Sequence, residues 1–180
     1  MQNQKPVPGT TFPAMEVSQL GGGKLKLGVP ADNFDWQLVV VYRGKHCPMC
    51  TSYLTELNET LKTFNDLGID VIAVSGDPEQ KATDQTTPLN LNYKVGYDLS
   101  VRQMQQLGLF VSNPRSIEEN DRPFAEPGVF VVNESALLQV VDISNAPFTR
   151  PSISTLAAGL GFVRNPENNY PIRGTYTQAA

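Results

Sequence analysis

The sequence has few of the side chains that most often carry catalytic or metal chemistry: its 180 residues include two cysteines and one histidine. Two cysteines exclude a multi-disulfide framework, and with a single histidine that is adjacent to one of them they are poorly placed to complete a four-ligand zinc site in one chain. No apolar run approaches the ~20 residues that span a bilayer. The amino terminus, MQNQKPVPGT, lacks the basic start and apolar stretch of a secretory signal. We therefore expect a cytoplasmic protein, in which a lone cysteine pair is catalytic or metal-binding rather than a structural disulfide.

Charge of either sign is also sparse. Charged residues make up 18% of the chain and the net charge is −4, which argues against a surface for nucleic acid or anionic membrane. With 40% hydrophobic residues, a chain of this length is expected to bury one ordinary core. We predict an arm at 1–13, a single domain at 14–163 and a tail at 164–180. Either the arm or the tail could serve a homodimer interface.

Hydrophobic spacing predicts an α/β fold. Short runs on either side of three glycines indicate a hairpin at 15–27, and the apolar, β-branched run at 36–42 indicates a strand buried on both faces. Apolar residues at steps of three and four indicate one helix over 49–67, closed by Gly68. The remaining elements are predicted as strands at 69–75, 94–97, 128–133 and 138–143, helices at 79–85, 99–107 and 153–160, and a long loop at 112–127. This order predicts a mixed central sheet flanked by helices, a thioredoxin-like arrangement.

Both cysteines lie in one motif, Cys47-Pro48-Met49-Cys50, where the predicted strand passes into the predicted helix. Proline is favoured at the first helical position, so Pro48 makes Cys47 the predicted N-cap. Free N–H groups and the helix dipole at this end favour a thiolate on Cys47 over a thiol. Cys50 lies one turn further on and is expected to be the more buried, within reach of Cys47 for a disulfide. The spacing therefore predicts a redox-active pair.

The segment just before the motif contains three residues with positive or titratable groups: Arg43, Lys45 and His46. We interpret them as tuning the Cys47 thiolate. Arg150 falls at an element end and is interpreted as a cap or loop contact. Two other interpretations of the cysteines stay open here: a structural pair of buried thiols, and a two-ligand Cu(I) site or metal shared across a dimer. We predict no resident metal and no cofactor.

Four segments carry a resemblance to a known family: YRGKHCPMC at 42–50, VIAVSGDP at 71–78, GVFVVN at 128–133 and NAPFTRPSISTL at 145–156. Over about 13–162 the chain resembles the alkyl hydroperoxide reductase and thiol-specific antioxidant (AhpC/TSA) family of the thioredoxin fold. It is most similar to the peroxiredoxin-like group with a Cys-x-x-Cys motif, which implies a peroxiredoxin-type amino-terminal hairpin. Peroxiredoxins place a proline and a threonine before the peroxidatic cysteine. If Cys50 is aligned to that cysteine, Arg43 and Cys47 stand at those two positions, and Pro127 replaces the family's later arginine.

The resemblance also implies a substrate groove. Pro127 matches the cis-proline of thioredoxins, which faces the cysteine pair and helps to bind extended substrate backbone. A cis Glu126–Pro127 bond is therefore expected, with a groove lined by Tyr42, Pro48, Met49, Glu126 and Pro127.

Together these features predict a thiol–disulfide oxidoreductase in which Cys47 attacks and Cys50 resolves. The expected partners are a disulfide-containing protein or a small thiol or disulfide, together with a thiol electron donor. One alternative is a thiol peroxidase, in which Cys50 attacks a hydroperoxide and Cys47 resolves. A second alternative is not an enzyme: a metal-binding or redox-sensing module.

Overall fold

The apolar run at 36–42 forms the centre of the sheet. In the computed structural model, which describes residues 5–176, the strand Trp36–Val41 has all six residues buried. Successive side chains of a strand point to opposite faces, so Val40 and Val41 pack in two different hydrophobic cores. A strand covered on both faces requires a nearly continuous apolar sequence. The one polar side chain of this strand, Gln37, is buried, and its amide is hydrogen-bonded to Gly28, Val29 and Asp70.

Seven of the nine strands found within residues 5–176 form one mixed sheet. The strands are β1 (Met15–Gln19), β2 (Lys24–Leu27), β3 (Trp36–Val41), β4 (Ile69–Val74), β5 (Lys94–Tyr97), β6 (Val111–Ser112), β7 (Phe124–Ala125), β8 (Gly128–Val132) and β9 (Leu138–Ile143). The order in the mixed sheet is β2-β1-β5-β4-β3-β8-β9, with β3–β4 and β4–β5 parallel and every other pairing antiparallel; β6 and β7 form a separate two-stranded sheet.

In the part of the chain that the structure describes, five α-helices connect or follow the strands. The prediction of a single helix over 49–67 is wrong, because the helix is interrupted at Thr60. The Thr60 hydroxyl donates to the carbonyl of Glu56 at 2.9 Å and competes with the helical backbone. Within residues 5–176, no helix is long and apolar enough to cross a membrane. The helices are α1 (Pro48–Glu59), α2 (Leu61–Asp66), α3 (Glu79–Thr86), α4 (Val101–Gln106) and α5 (Ile153–Arg164), with 3-10 turns at Thr87–Leu89 and Pro166–Asn168.

The two faces of the sheet are covered by different elements. Leu54 of α1, Phe64 of α2 and Leu156 of α5 pack in the core that contains the cysteines. Leu27 of the hairpin and Met104 of α4 pack in the core on the other side. The predicted mixed sheet flanked by helices, with an amino-terminal hairpin, is confirmed.

The segment predicted as a long loop at 112–127 contains β6 and β7. Phe124 and Ala125 are fully buried, and buried backbone groups need hydrogen-bond partners, which the pairing of these residues with Ser112 and Val111 supplies. The prediction of an unbroken loop is therefore wrong, although most of the polar residues that suggested it do lie between the two short strands.

Candidate active site

The cysteine motif lies where β3 passes into α1. Cys47 is the N-cap of α1, as predicted, with extended backbone angles (φ −108°, ψ 99°) and Pro48 in the first turn. The backbone N–H of Cys50 donates to Cys47 Sγ at an N···S distance of 3.2 Å. An N-cap side chain that accepts from the first turn satisfies a helix donor that has no intrahelical partner. A thiolate at this position is thus stabilised by the helix terminus.

The two thiols differ strongly in acidity. A hydrogen bond from the Cys50 thiol is the largest cause that lowers the pKa of Cys47, which falls to about 6. The Cys50 backbone N–H and the charges of Arg43 and Arg150 lower it further, whereas burial opposes them. The same hydrogen bond, together with burial, raises the pKa of the Cys50 thiol far above its ordinary value. At neutral pH the pair therefore holds a thiolate on Cys47 and the proton on Cys50.

Access to the pair is narrow. Cys47 is 3% exposed and Cys50 is 0% exposed, which agrees with the prediction that Cys50 is the more buried. Pro48 is exposed and Met49 is 47% exposed, so these two residues form the outer surface of the motif. Both cysteines are free thiols.

Arg150 belongs to this site, although its position at an element end suggested only a cap or loop contact. Its Nη1 lies 3.8 Å from Cys50 Sγ, and its Nη2 donates to the carbonyl of Met49 at 3.2 Å. The guanidinium lies over the ring of Tyr53 at 4.0 Å, and the Tyr53 hydroxyl donates to the carbonyl of Pro151 at 3.0 Å. Arg150 therefore joins the first turn of α1 to the loop before α5. The sequence feature that could have indicated a role for Arg150 in the site is its position in the segment 145–156, which carries the family resemblance.

The loop before the motif is held by a buried carboxylate. Gly44 adopts φ +123°, and a Cβ there would lie 2.5 Å from Asp77 Oδ2, so glycine is required both by conformation and by close approach. The Lys45 backbone N–H donates to that carboxylate at 2.7 Å, and burial raises the pKa of Asp77. The Gly44 carbonyl accepts from the Cys47 N–H at 3.1 Å. The position of Cys47 is therefore fixed by the loop as well as by the helix.

The three predicted tuning residues are placed differently. Arg43 lies 4.8 Å over the Phe124 ring and contributes to the low pKa of Cys47. The Lys45 ammonium pairs with Asp84 of α3 at 2.7 Å, and its influence on the thiolate stays a prediction. His46 packs against Phe124, with ring centroids 4.4 Å apart. Burial, followed by the charge of Arg43, lowers the pKa of His46, and its influence on the thiolate stays a prediction.

The predicted cis Glu126–Pro127 bond is wrong: residues 5–176 contain no cis peptide bond. The segment is held extended between two neighbours, because the Glu126 N–H donates to the carbonyl of Phe110 at 2.8 Å and the Pro127 carbonyl accepts from the Ser144 N–H at 3.0 Å. An ordinary trans proline at the start of β8 satisfies both contacts.

The substrate groove predicted beside Pro127 is closed. Pro127 and Glu126 are buried, and Tyr42 is 0% exposed. The Arg43 Nε lies 3.4 Å from Glu126 Oε2, without the alignment of a hydrogen bond, and Ser112 donates to Glu126 Oε1 at 2.6 Å. These contacts seal the loop at 43–46 against the segment 124–127. Of the five predicted groove residues, only Pro48 and Met49 reach the surface.

No cluster of three or more Cys, His, Asp or Glu side chains within residues 5–176 could hold a metal ion. The single histidine does not extend the cysteine pair, since both its ring nitrogens are buried against neighbouring side chains without a hydrogen-bond partner. The donor set is that of a dithiol rather than a closed metal site.

A comparison with protein families identifies the chain. The model of the AhpC/TSA family matches residues 8–141, more than half of the sequence. The chain belongs to the AhpC/TSA family. As a member of this family it is a thiol-dependent oxidoreductase, and both the predicted resemblance and the predicted enzyme class are confirmed. None of the curated proteins compared with the sequence matches it.

Solved structures share the fold of this AhpC/TSA protein at low identity. A cysteine-to-serine mutant of peroxiredoxin 6 from Arenicola marina is 17% identical, with a TM-score of 0.74 over 89% of this chain and 74% of that one. Peroxidoxin BcpB from Mycobacterium tuberculosis is also 17% identical, with a TM-score of 0.73 over 89% of this chain and 99% of that one. A peroxiredoxin-like protein from Aquifex aeolicus is similar at 17% identity and a TM-score of 0.72, with 88% of each chain covered. The thioredoxin-like fold with a peroxiredoxin-type hairpin is confirmed.

Proposed function

We propose that the protein is a thiol–disulfide oxidoreductase in which Cys47 is the nucleophile and Cys50 the resolving thiol. The observation that carries this proposal is the N-cap position of Cys47, where the Cys50 N–H at 3.2 Å, the Cys50 thiol and two arginines lower its pKa to about 6. A free cysteine near pKa ~8.5 is only a few per cent thiolate at neutral pH. Cys47 is mostly in the reacting form under the same conditions, because its pKa lies below 7.

The reaction proceeds in two exchanges. The Cys47 thiolate attacks one sulfur of a substrate disulfide, the substrate S–S bond breaks, and the first thiolate leaves with the bonding electrons. Cys50 then attacks Cys47 Sγ, releases the second thiolate and closes the Cys47–Cys50 disulfide. The Cys50 proton passes to a departing thiolate, so the substrate gains two electrons and the protein loses two. A thiol electron donor restores the reduced pair, which suits a reducing compartment such as the cytoplasm.

The burial of Cys50 is consistent with a resolving role. A buried thiol with a raised pKa is a poor first nucleophile, since the thiolate is the reacting species. Once Cys47 has become part of a mixed disulfide, Cys50 lies one helical turn away and needs no encounter with solvent to react. In the resting state the Cys50 thiol also stabilises the Cys47 thiolate, because it donates a hydrogen bond to that thiolate.

Trapping the mixed disulfide tests these roles. Cys50→Ser should accumulate a stable mixed disulfide with a chromogenic disulfide substrate, whereas Cys47→Ser should accumulate little. Intact-protein mass spectrometry after a single turnover measures both, and reduction with dithiothreitol should reverse the mass increase. Trapping in Cys47→Ser alone would reverse the assignment.

A thiol peroxidase with Cys50 as peroxidatic cysteine is the second candidate. Two observations favour it: the Arg150 guanidinium lies 3.8 Å from Cys50 Sγ, and the family and its solved neighbours include peroxiredoxins. A hydroperoxide would then be the oxidising substrate. Against it stand the complete burial of Cys50 and the direction of its pKa. The rate at which hydrogen peroxide oxidises the reduced protein distinguishes the two candidate functions. A peroxidase reacts with peroxide far faster than a free thiol does, whereas a disulfide oxidoreductase reacts with it at about the rate of a free thiol.

A further inference from the structure

Arg150 lies beside the reactive cysteine pair, and its positive charge has no carboxylate partner among residues 5–176. Within residues 5–176, no Asp or Glu oxygen lies within 4.0 Å of its nitrogens, whereas Arg43 pairs with Glu126 and Arg164 with Asp35. Its Nε and Nη2 each donate to a backbone carbonyl, and its Nη1 faces Cys50 Sγ. A guanidinium has five N–H donors. At least two N–H donors thus remain available to an anion, on a positive charge that no carboxylate neutralises.

The guanidinium is also reachable from outside. Arg150 is partly exposed, and its bond to the Met49 carbonyl holds it against the first turn of α1. Two exposed apolar side chains stand beside it: Met49, which is 47% exposed, and Phe148, which is 73% exposed. The electrostatic influence of Arg150 extends to Cys47, where it helps to stabilise the thiolate. An anion bound at Arg150 would therefore lie at the first turn of α1, beside the cysteine pair.

The part of the site formed by the loop at 43–46 does not admit an extended polypeptide. The loop at 43–46 is sealed against the segment 124–127 through Phe124 and through the Arg43–Glu126 pair. Cys47 itself is only 3% exposed. A disulfide on a protein surface would bring bulky flanking backbone to this opening, whereas a small disulfide would not.

We propose that Arg150 is an anion-binding subsite beside the cysteine pair, and that the substrate is a small disulfide with a carboxylate close to its reacting sulfur. This inference rests on the proposed function and specifies its substrate class. The carboxylate binds the free N–H groups of Arg150 and orients one substrate sulfur toward the Cys47 thiolate. The chemistry is the exchange already described: both substrate sulfurs leave as thiolates, and the protein closes the Cys47–Cys50 disulfide.

Single-turnover kinetics with two chromogenic aromatic disulfides test the subsite. One is the dianionic bis(nitrobenzoate) disulfide and the other is neutral dithiodipyridine. The measured quantity is the ratio of their rate constants with reduced protein at low salt. Arg150→Gln should lower this ratio about 5- to 10-fold, which is less than the effect of a fully buried charge-assisted hydrogen bond because Arg150 is partly exposed and glutamine keeps an N–H donor. A general loss of Cys47 reactivity or of local structure would lower the rate constants for both disulfides and leave their ratio unchanged.

Two controls make the result specific. Arg102→Gln removes the same unit of charge from an exposed position on α4 and should keep the wild-type ratio. Raising the ionic strength to about 1 M should weaken the anion preference of the wild type, because the Debye length falls to ~3 Å. An unchanged ratio in Arg150→Gln, or an equal fall in Arg102→Gln, would overturn the subsite. If the wild type reduces neither disulfide faster than free cysteine, the proposed function itself fails.

Discussion

The acidity of Cys47 should depend on the side chain at position 50. The Cys50 thiol is the largest cause of the low Cys47 pKa, through the hydrogen bond that it donates to the thiolate. A hydrogen bond to a charged group contributes about 1.5–3 kcal/mol, and 1.36 kcal/mol corresponds to one pKa unit, so its loss should raise the pKa by roughly 1–2 units. Cys50→Ala should therefore move the Cys47 pKa from about 6 to roughly 7–8. Cys50→Ser keeps a hydroxyl donor and should remain close to the wild-type value.

Alkylation by iodoacetamide as a function of pH measures this difference. The chain has two cysteines, so each variant keeps Cys47 as the single reactive thiol. The thiolate is the reacting form and is present above the pKa, so the rate should rise with pH through the midpoint and then level off. The Cys50→Ser midpoint should fall near pH 6 and the Cys50→Ala midpoint clearly higher. Coincident midpoints, or a midpoint near an ordinary 8.5 in Cys50→Ser, would refute the role given to the Cys50 hydrogen bond.

Three further substitutions test the surroundings of the pair. Gly44→Ala should lower the free energy of unfolding by about 1–3 kcal/mol, and by more than Gly22→Ala, which has a positive φ without a close neighbour; urea denaturation compares them. Glu126→Gln removes the carboxylate paired with Arg43 and should lower the Cys47 pKa, because the arginine charge is then unopposed; an increase in the alkylation midpoint would contradict this. Tyr53→Phe loses the hydrogen bond to Pro151 and should cost about 0.5–1.5 kcal/mol of unfolding free energy. It keeps the ring under the guanidinium, so its alkylation midpoint should not move.

Local chemistry made much of the site predictable. A proline directly after a cysteine at a strand end was enough to predict the N-cap, and Cys47 occupies it. Apolar, β-branched runs identified β3 and β4, because a strand buried on both faces has few acceptable sequences. The same reasoning could not detect the interruption at Thr60, since a threonine hydroxyl competes with the helical backbone without changing the apolar spacing.

The remaining features of the site depend on contacts between distant parts of the chain. Arg150 is one hundred residues from Cys50, and only the packing of α5 against α1 brings them together. The closed groove depends on Phe124, whose segment looked like loop because the residues before it are polar. The trans bond before Pro127 follows from hydrogen bonds of its neighbours to Phe110 and Ser144. None of these contacts has a local sequence pattern.

The most direct test of the account identifies which cysteine is the thiolate in the unmodified protein. Reduced wild-type protein is treated with less than one equivalent of iodoacetamide at pH 6.5 and then digested. Fragmentation of the peptide that contains both cysteines locates the label. We expect alkylation at Cys47, because its pKa is about 6 and the Cys50 thiol is buried and protonated. Preferential labelling of Cys50 would contradict it and would make Cys50 the attacking thiol.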